Sequence, residues 1–353
     1  MDADRLAAAQ PEFAPDGIYL DTATMGLPPR RTVAAVTAAL DRWQRGVDDA
    51  LAYDEAVEAS RRAYAGLVGV DPAWVAVGGQ VSSFVGLVAA SLPVGSEVLT
   101  ATGDFTSVLF PFHAQAVRGL RVREAPLERL ADAVTSATTL VAVSAVQSAD
   151  GRVADLDALV AACEAVGARI LLDTTQAAGW LPIDASRFSY TTGGGYKWLL
   201  APRGTAFFTV RPELVAHLVP VAAGWYAGAD RWSSIYGSPL RLASDARAFD
   251  VSPAWHAWAG QATSLQLLAE VGVPTLHAHA VGLANRFRAA VGLPAGDSAI
   301  VSAAASDQVP GILAERGIAA ASRTGRLRLA FHVSTRTSEV DRAAEHLDGH
   351  LHD

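Results

Sequence analysis

One lysine stands in this chain of 353 residues, Lys197 in the stretch GGGYKWLLAPRG (193–204); the other 27 of its 28 Lys and Arg residues are arginine. An arginine cannot be deprotonated in a protein, whereas a lysine can be tuned to a neutral amine that attacks a carbonyl and forms a Schiff base. Where arginine serves for every plain cation, the lone lysine points to amine chemistry. A second candidate is Asp173, which closes the apolar run RILLD (169–173), with Gln176 three residues further on in DTTQAAGW. A carboxylate at a buried strand end must face a cation or a strong donor. The stretch GGQVSS (78–83) puts glycines and free backbone N–H groups at the start of a helix, where anions are held, and GDFTS (103–107) brings Phe105 to another strand end.

These residues need a scaffold that gathers strand ends. WVAVG (74–78), EVLTA (97–101), TTLVAVSAV (138–146), RILLD (169–173) and GTAFFTV (204–210) read as strands. They alternate with helical patterns such as SSFVGLVAASL and VADLDALVAACEAVGAR, the latter closed by Gly167. That rhythm predicts a mostly parallel sheet covered by helices, whose carboxyl edge collects ligands. Residues 221–245 read as a long loop rich in Gly, Trp, Ser and Asp. The last hundred residues hold a helix in HAWAGQATSLQLLAEVG, a strand in GRLRLAFH and a final helix from Thr337.

Composition narrows the classes. A formal charge of −8 and the lack of any Lys/Arg cluster beyond short pairs exclude a phosphate-backbone surface, so no nucleic-acid partner is expected. No apolar run reaches membrane-spanning length, and the acidic start MDADRLAAAQPEF lacks the basic region of a secretion signal, which predicts a cytoplasmic protein. The single cysteine, Cys163, cannot form an internal disulfide and reads as a small buried apolar residue. His277 and His279, two apart, point to different faces of a helix, and no metal site is expected. Neither GxSxG, HExxH nor a Walker-type loop is present.

Taken together, these residues resemble the class V family of fold-type I pyridoxal-phosphate enzymes, which includes cysteine desulfurases, kynureninase, isopenicillin N epimerase and ergothioneine C–S lyases. The likeness runs from YLDTATMGLPP (19–29) to RLAFHVSTRTSEVD (328–341). It implies an α/β fold, with a seven-stranded, mostly parallel sheet in a large domain (21–246), an N-terminal arm (1–20) and a smaller C-terminal α/β domain (247–353). It implies pyridoxal 5'-phosphate as cofactor, joined to Lys197, with Asp173 on the ring nitrogen, Gln176 on the ring hydroxyl and Phe105 stacked on the ring. The phosphate falls to Gly79, Gln80 and Val81, and the substrate carboxylate to Arg328. Many relatives carry a serine and a histidine just before the lysine; here stand Gly194 and Tyr196, so Tyr196 or a partner subunit takes that place. Ser252 in FDVSPAW matches a turn that relatives lend to the neighbouring subunit's phosphate, and Ser148 stands where desulfurases have an asparagine near the substrate. Residues 290–327 contain no cysteine, which argues against persulfide-forming desulfuration.

The expectation is therefore a homodimeric enzyme acting on an amino acid, first as a β-eliminating C–S lyase. An aminotransferase or epimerase is the alternative on the same scaffold, and a cofactor-free relative that has kept the fold is the reading from another class.

Overall fold

The computed structural model describes residues 2–353. The chain opens with α1 (Ala3–Ala9), a short strand β1 (Ile18–Tyr19) and two long helices, α2 (Arg30–Gln44) and α3 (Ala50–Val68). The strands β2 (Val75–Gly78), β3 (Glu97–Ala101), β4 (Arg121–Ala125), β5 (Thr138–Ser144), β6 (Arg169–Asp173), β7 (Tyr190–Gly194) and β8 (Ala206–Val210) then form one sheet. Its order is β2-β8-β7-β6-β5-β3-β4, and only β8 runs against the others. Strands β2, β7 and β8 are buried along their whole length, which the helices on both faces require of a doubly covered sheet.

Two strands of this sheet were not anticipated. RVREA (β4) is the sheet edge, where charge is the ordinary protection: Arg123 pairs with Glu97 on β3 at 3.1 Å instead of adding an apolar signal. YTTGG (β7) is central, yet it looks like a turn. Its threonines satisfy themselves inside the sheet, Thr191 Oγ1 lying 2.8 Å from Thr209 Oγ1 and Thr192 Oγ1 donating to the Phe207 carbonyl. The helices α4 (Val81–Ser91), α5 (Thr106–His113) and α6 (Leu156–Val166) follow β2, β3 and β5, and α6 ends at Gly167 with φ +73°.

After the 221–245 stretch, which holds only short turns and one bridge between Gly228 and Leu242, come α7 (Trp255–Val271) and α8 (Val273–Ala290). The C-terminal part contains β9 (Ile300–Ala305), α9 (Val309–Glu315), β10 (Ile318–Ala319), β11 (Ala321–Arg323), β12 (Arg326–Ala330), α10 (Thr337–Leu347) and β13 (Leu351–His352). An antiparallel sheet β11-β12-β9-β13 shares a core with α8 and α10. β1 pairs with β10 in a separate two-stranded sheet, and Asp21 just beyond it bridges to Ala330 at the end of β12, so the start of the chain is stitched to the C-terminal part. Because α7 sets Trp258 edge-on to Phe207 of β8 at 5.3 Å, we propose drawing the domain boundary at Gly272, between α7 and α8. No single helix among the described residues is long and apolar enough to cross a membrane.

Candidate active site

The carboxyl ends of β2, β3, β5, β6 and β7 surround one cavity. Gly79, Gln80 and Val81 line it after β2, Phe105 after β3, Ser148 after β5, Asp173 and Gln176 from β6, and Tyr196 and Lys197 after β7. Nine of the residues singled out in the sequence thus meet in one place, as the topology requires of strand ends on one sheet edge.

Lys197 is only 5 % exposed, with Nζ 5.3 Å from the centre of the Phe105 ring. Burial drives its pKa down from 10.5 to about 8, Arg328, Arg323 and Arg203 push the same way, and Asp173 opposes them. The turn around it is tightly made. Leu200 takes φ +60° and its N–H reaches the Lys197 carbonyl at 3.1 Å, while Ala201 N–H returns to the Gly195 carbonyl. A left-handed leucine carries about 1–2 kcal/mol of strain, which the surrounding packing must hold. Two glycines make that packing possible: a Cβ on Gly195 would lie 2.0 Å from Gln261 Oε1, and one on Gly26 would lie 1.9 Å from the Lys197 carbonyl oxygen.

Asp173 accepts the Thr175 N–H at 2.8 Å and is 4 % exposed. Burial raises its pKa from 3.8 to about 6, against the Thr175 hydrogen bonds and Lys197 and with the help of Asp104. It is still ionised at neutral pH and lacks a full counter-charge, the state that suits a carboxylate meant for a protonated ring nitrogen. Gln176 is fixed by three bonds: Nε2 donates to the Ala23 carbonyl and to Ser148 Oγ, both at 3.0 Å, and Oε1 accepts from Trp198 Nε1 at 2.7 Å. Its amide hydrogens are both engaged. Ser148 Oγ accepts from Gln176 and, at 3.3 Å, from Arg328, which leaves the serine its own proton to donate.

Sequence reasoning missed the residue that sets Phe105. Asp104, 4 % exposed, accepts from Phe105 N–H at 2.6 Å and from Ser144 N–H at 2.8 Å, tying the β3 loop to the end of β5. Its only sequence signal is the dipeptide before Phe105. Arg203, Thr175 and Thr205 also line the cavity and were not anticipated.

Two expected residues lie outside this lining. Arg328 is fully buried behind Ser148: Nη1 donates to the Ser148 carbonyl, Nη2 to Thr24 Oγ1 at 2.7 Å, and Asp21 lies 3.7 Å away, while Nε has no partner. Burial lowers its pKa to about 10, with Arg323 adding to the effect. Ser252 lines an adjoining, more apolar cavity that shares Gly79 and Gln80 with the first. Its segment is anchored by a buried ion pair, Arg61 to Asp250 at 2.7 Å, and Asp250 also accepts Val77 N–H. His277 stacks on Trp180 and His279 Nε2 lies 3.0 Å from the Thr335 carbonyl, each occupied in its own packing.

The family model described as Aminotransferase class-V matches residues 18–302. An uncharacterized aminotransferase, YcbU, of Bacillus subtilis is 28 % identical over 305 residues, 83 % of this chain and 79 % of that one. Isopenicillin N epimerase of Streptomyces clavuligerus is 29 % identical, with 65 % of this chain and 63 % of the epimerase covered. Among solved structures, the cystine C–S lyase C-DES in complex with its product cysteine persulfide superposes with a TM-score of 0.84 at 22 % identity, covering 95 % of this chain and 98 % of the lyase. A mutant of C-DES with glycine covalently linked to its PLP cofactor gives 0.85 at 21 %, covering 97 % and 99 %. The chain belongs to the class-V aminotransferase family, and it is a pyridoxal-phosphate-dependent enzyme.

The residues present fit that cofactor: a buried, partly neutral amine for its aldehyde, a buried carboxylate for its ring nitrogen and backbone donors for its phosphate. The amine's shift has a kinetic consequence. A pKa of about 8 leaves roughly a tenth of Lys197 neutral at pH 7, against about three in ten thousand for a pKa of 10.5. Uptake of pyridoxal phosphate by the cofactor-free protein should therefore accelerate as pH rises and level off above about pH 8, as stopped-flow absorbance will show.

Proposed function

We propose that the enzyme catalyses β-elimination from an amino acid carrying sulfur at Cβ, which takes up one water and releases a thiol or sulfide, ammonia and a keto acid. When bound, the cofactor supplies an electron-withdrawing pyridinium that makes loss of the Cα proton feasible. The observation that carries the reading is that, among the described residues, Lys197 is the only amine lining the cavity and that burial lowers its pKa to about 8, which lets it take up that proton near neutral pH. Asp173 would keep the cofactor's ring nitrogen protonated, and Phe105, held by Asp104, would pack against the ring. Ser148, oriented by Gln176, would offer its free proton to the ring hydroxyl, and Gly79, Gln80 and Val81 would hold the phosphate. Arg328 binds the substrate carboxylate once the Ser148 segment, which now engages it, gives way.

The chain's own thiol takes no part. Cys163 is 1 % exposed on the buried face of α6, and burial pushes its pKa up to about 11, so it is not a nucleophile for persulfide formation. Sulfur then leaves with the product. C–S lyase activity is also what C-DES is named for, a likeness of fold. Transamination and epimerisation are the second reading, favoured by the relatives named for them. We further infer a homodimer, for which large apolar side chains exposed on α2 and in residues 219–240, such as Trp43, Val221 and Leu240, offer an interface.

The separating experiment supplies cysteine, cystine and other β-substituted amino acids without any keto-acid acceptor. Elimination predicts keto acid and ammonia over many turnovers. A single turnover that leaves pyridoxamine phosphate indicates an aminotransferase, and exchange of the Cα hydrogen with inversion and no keto acid indicates an epimerase.

A further inference from the structure

We propose that Arg203, stacked on Tyr196, is a phosphate anchor for the cofactor in this chain, standing in for the serine and histidine that many relatives place just before the lysine. The strand register puts it there. β2 and β8 are antiparallel with Gly78 opposite Ala206, so the chain leaving β2 into Gly79, Gln80 and Val81 runs alongside Thr205, Gly204 and Arg203. A Cβ on Gly79 would lie 3.8 Å from the Gly204 carbonyl oxygen, which confirms how closely the two segments pass. Arg203 therefore lies beside the start of α4, and it lines the same cavity as Gly79, Gln80, Val81 and Ser82.

The start of α4 is short of hydrogen-bond partners. Its N-cap, Gln80, makes no side-chain bond to the helix, so the first N–H groups of an eleven-residue helix face the cavity with the positive end of its dipole. Arg203 brings a second positive group to the same place. It is exposed and, among the described residues, makes no ion pair and no hydrogen bond to the protein, so its N–H groups are free to take a ligand. Its guanidinium carbon sits 4.7 Å from the centre of the Tyr196 ring, a stacking that orients the fork without using any of its N–H groups. Five donors in a fixed plane, opposite free backbone N–H groups, are the recognition geometry of a phosphate dianion. Tyr196 thus serves the phosphate as the platform that holds the arginine.

The test compares pyridoxal phosphate with pyridoxal, which has the same aldehyde and ring but no phosphate. Both are titrated into the full-length, cofactor-free protein and followed by absorbance. Arg203→Ala should weaken pyridoxal phosphate about ten- to a hundredfold, the range of a charge-assisted bond, and leave pyridoxal unchanged. Tyr196→Phe, which keeps the ring, should bind both as the unaltered protein does, while Tyr196→Ala should lose part of the phosphate-dependent affinity. Thermal melting of the cofactor-free variants checks that the fold is kept, as expected for a side chain on the surface of the cavity. Equal binding of pyridoxal phosphate by Arg203→Ala and the unaltered protein, or an equal loss for both aldehydes, would overturn the assignment. The comparison does not depend on which reaction the enzyme performs.

Discussion

Lys197→Ala is expected to abolish the yellow absorbance of the holoprotein and to lower turnover by at least about a thousandfold, because the proposed function gives this one side chain both the anchoring of the cofactor and the movement of the substrate's proton. No neighbouring group can replace it. The chain has no second lysine, and the other cations that influence the site, Arg203, Arg323 and Arg328, are guanidinium groups, which do not supply the amine a Schiff base needs. The variant should keep its fold, since Nζ makes no hydrogen bond among the described residues and its removal leaves only a small void between Phe105 and Tyr196. Pyridoxal phosphate added to the variant should bind reversibly and wash out on dialysis. An unaltered absorbance spectrum would show that the aldehyde is held elsewhere.

Asp173→Asn is expected to act on catalysis and on stability in opposite directions. Losing the charge that faces the ring nitrogen removes the reason for that nitrogen to remain protonated, and turnover should fall by roughly 10²- to 10³-fold, as when a preorganised charge is deleted from other active sites. The cofactor-free protein should respond the other way. Its folded pKa, about 6, lies above the ordinary 3.8, so the native state holds a proton that the unfolded chain releases between those values. Stability tied to this group is therefore lost as pH rises through about 6, and at pH 7 the buried carboxylate is a burden on the fold. Asparagine removes it. The variant without cofactor should melt at or above the temperature of the unaltered protein at pH 7, and the advantage should vanish below pH 4, where both carry a neutral side chain. A variant that is less stable at pH 7 would mean that the carboxylate serves the fold and not the cofactor.

The sequence could announce the strands that are buried on both faces, because continuous β-branched runs leave little else to read: EVLTA and RILLD match β3 and β6 residue for residue. It was silent where another force decided. β7 is central because Thr191 pairs with Thr209 and Thr192 donates to the Phe207 carbonyl, both on β8, and Gly193 within it and Gly195 just after it are demanded by Thr174 and Gln261, partners known only once the chain is folded. The site residues at strand ends could be found because one sheet edge gathers them. Asp104 could not, since its meaning lies in Ser144, forty residues away and on the neighbouring side of β3. Arg203 was hidden in a turn that looks like any Pro-Arg-Gly, and its role depends on the antiparallel crossing of β2 and β8. Arg328 was legible as a residue but not in its orientation: the segment just after β1, through Asp21 and Thr24, draws the guanidinium behind Ser148.

The most direct test of the account is chemical trapping. The purified holoprotein is reduced with borohydride, digested, and its peptides are weighed by mass spectrometry. The account predicts one pyridoxyl-phosphate adduct, on the peptide carrying Lys197, with loss of the yellow band. An adduct on the N-terminal amine, or none from a protein that is visibly loaded, would contradict it.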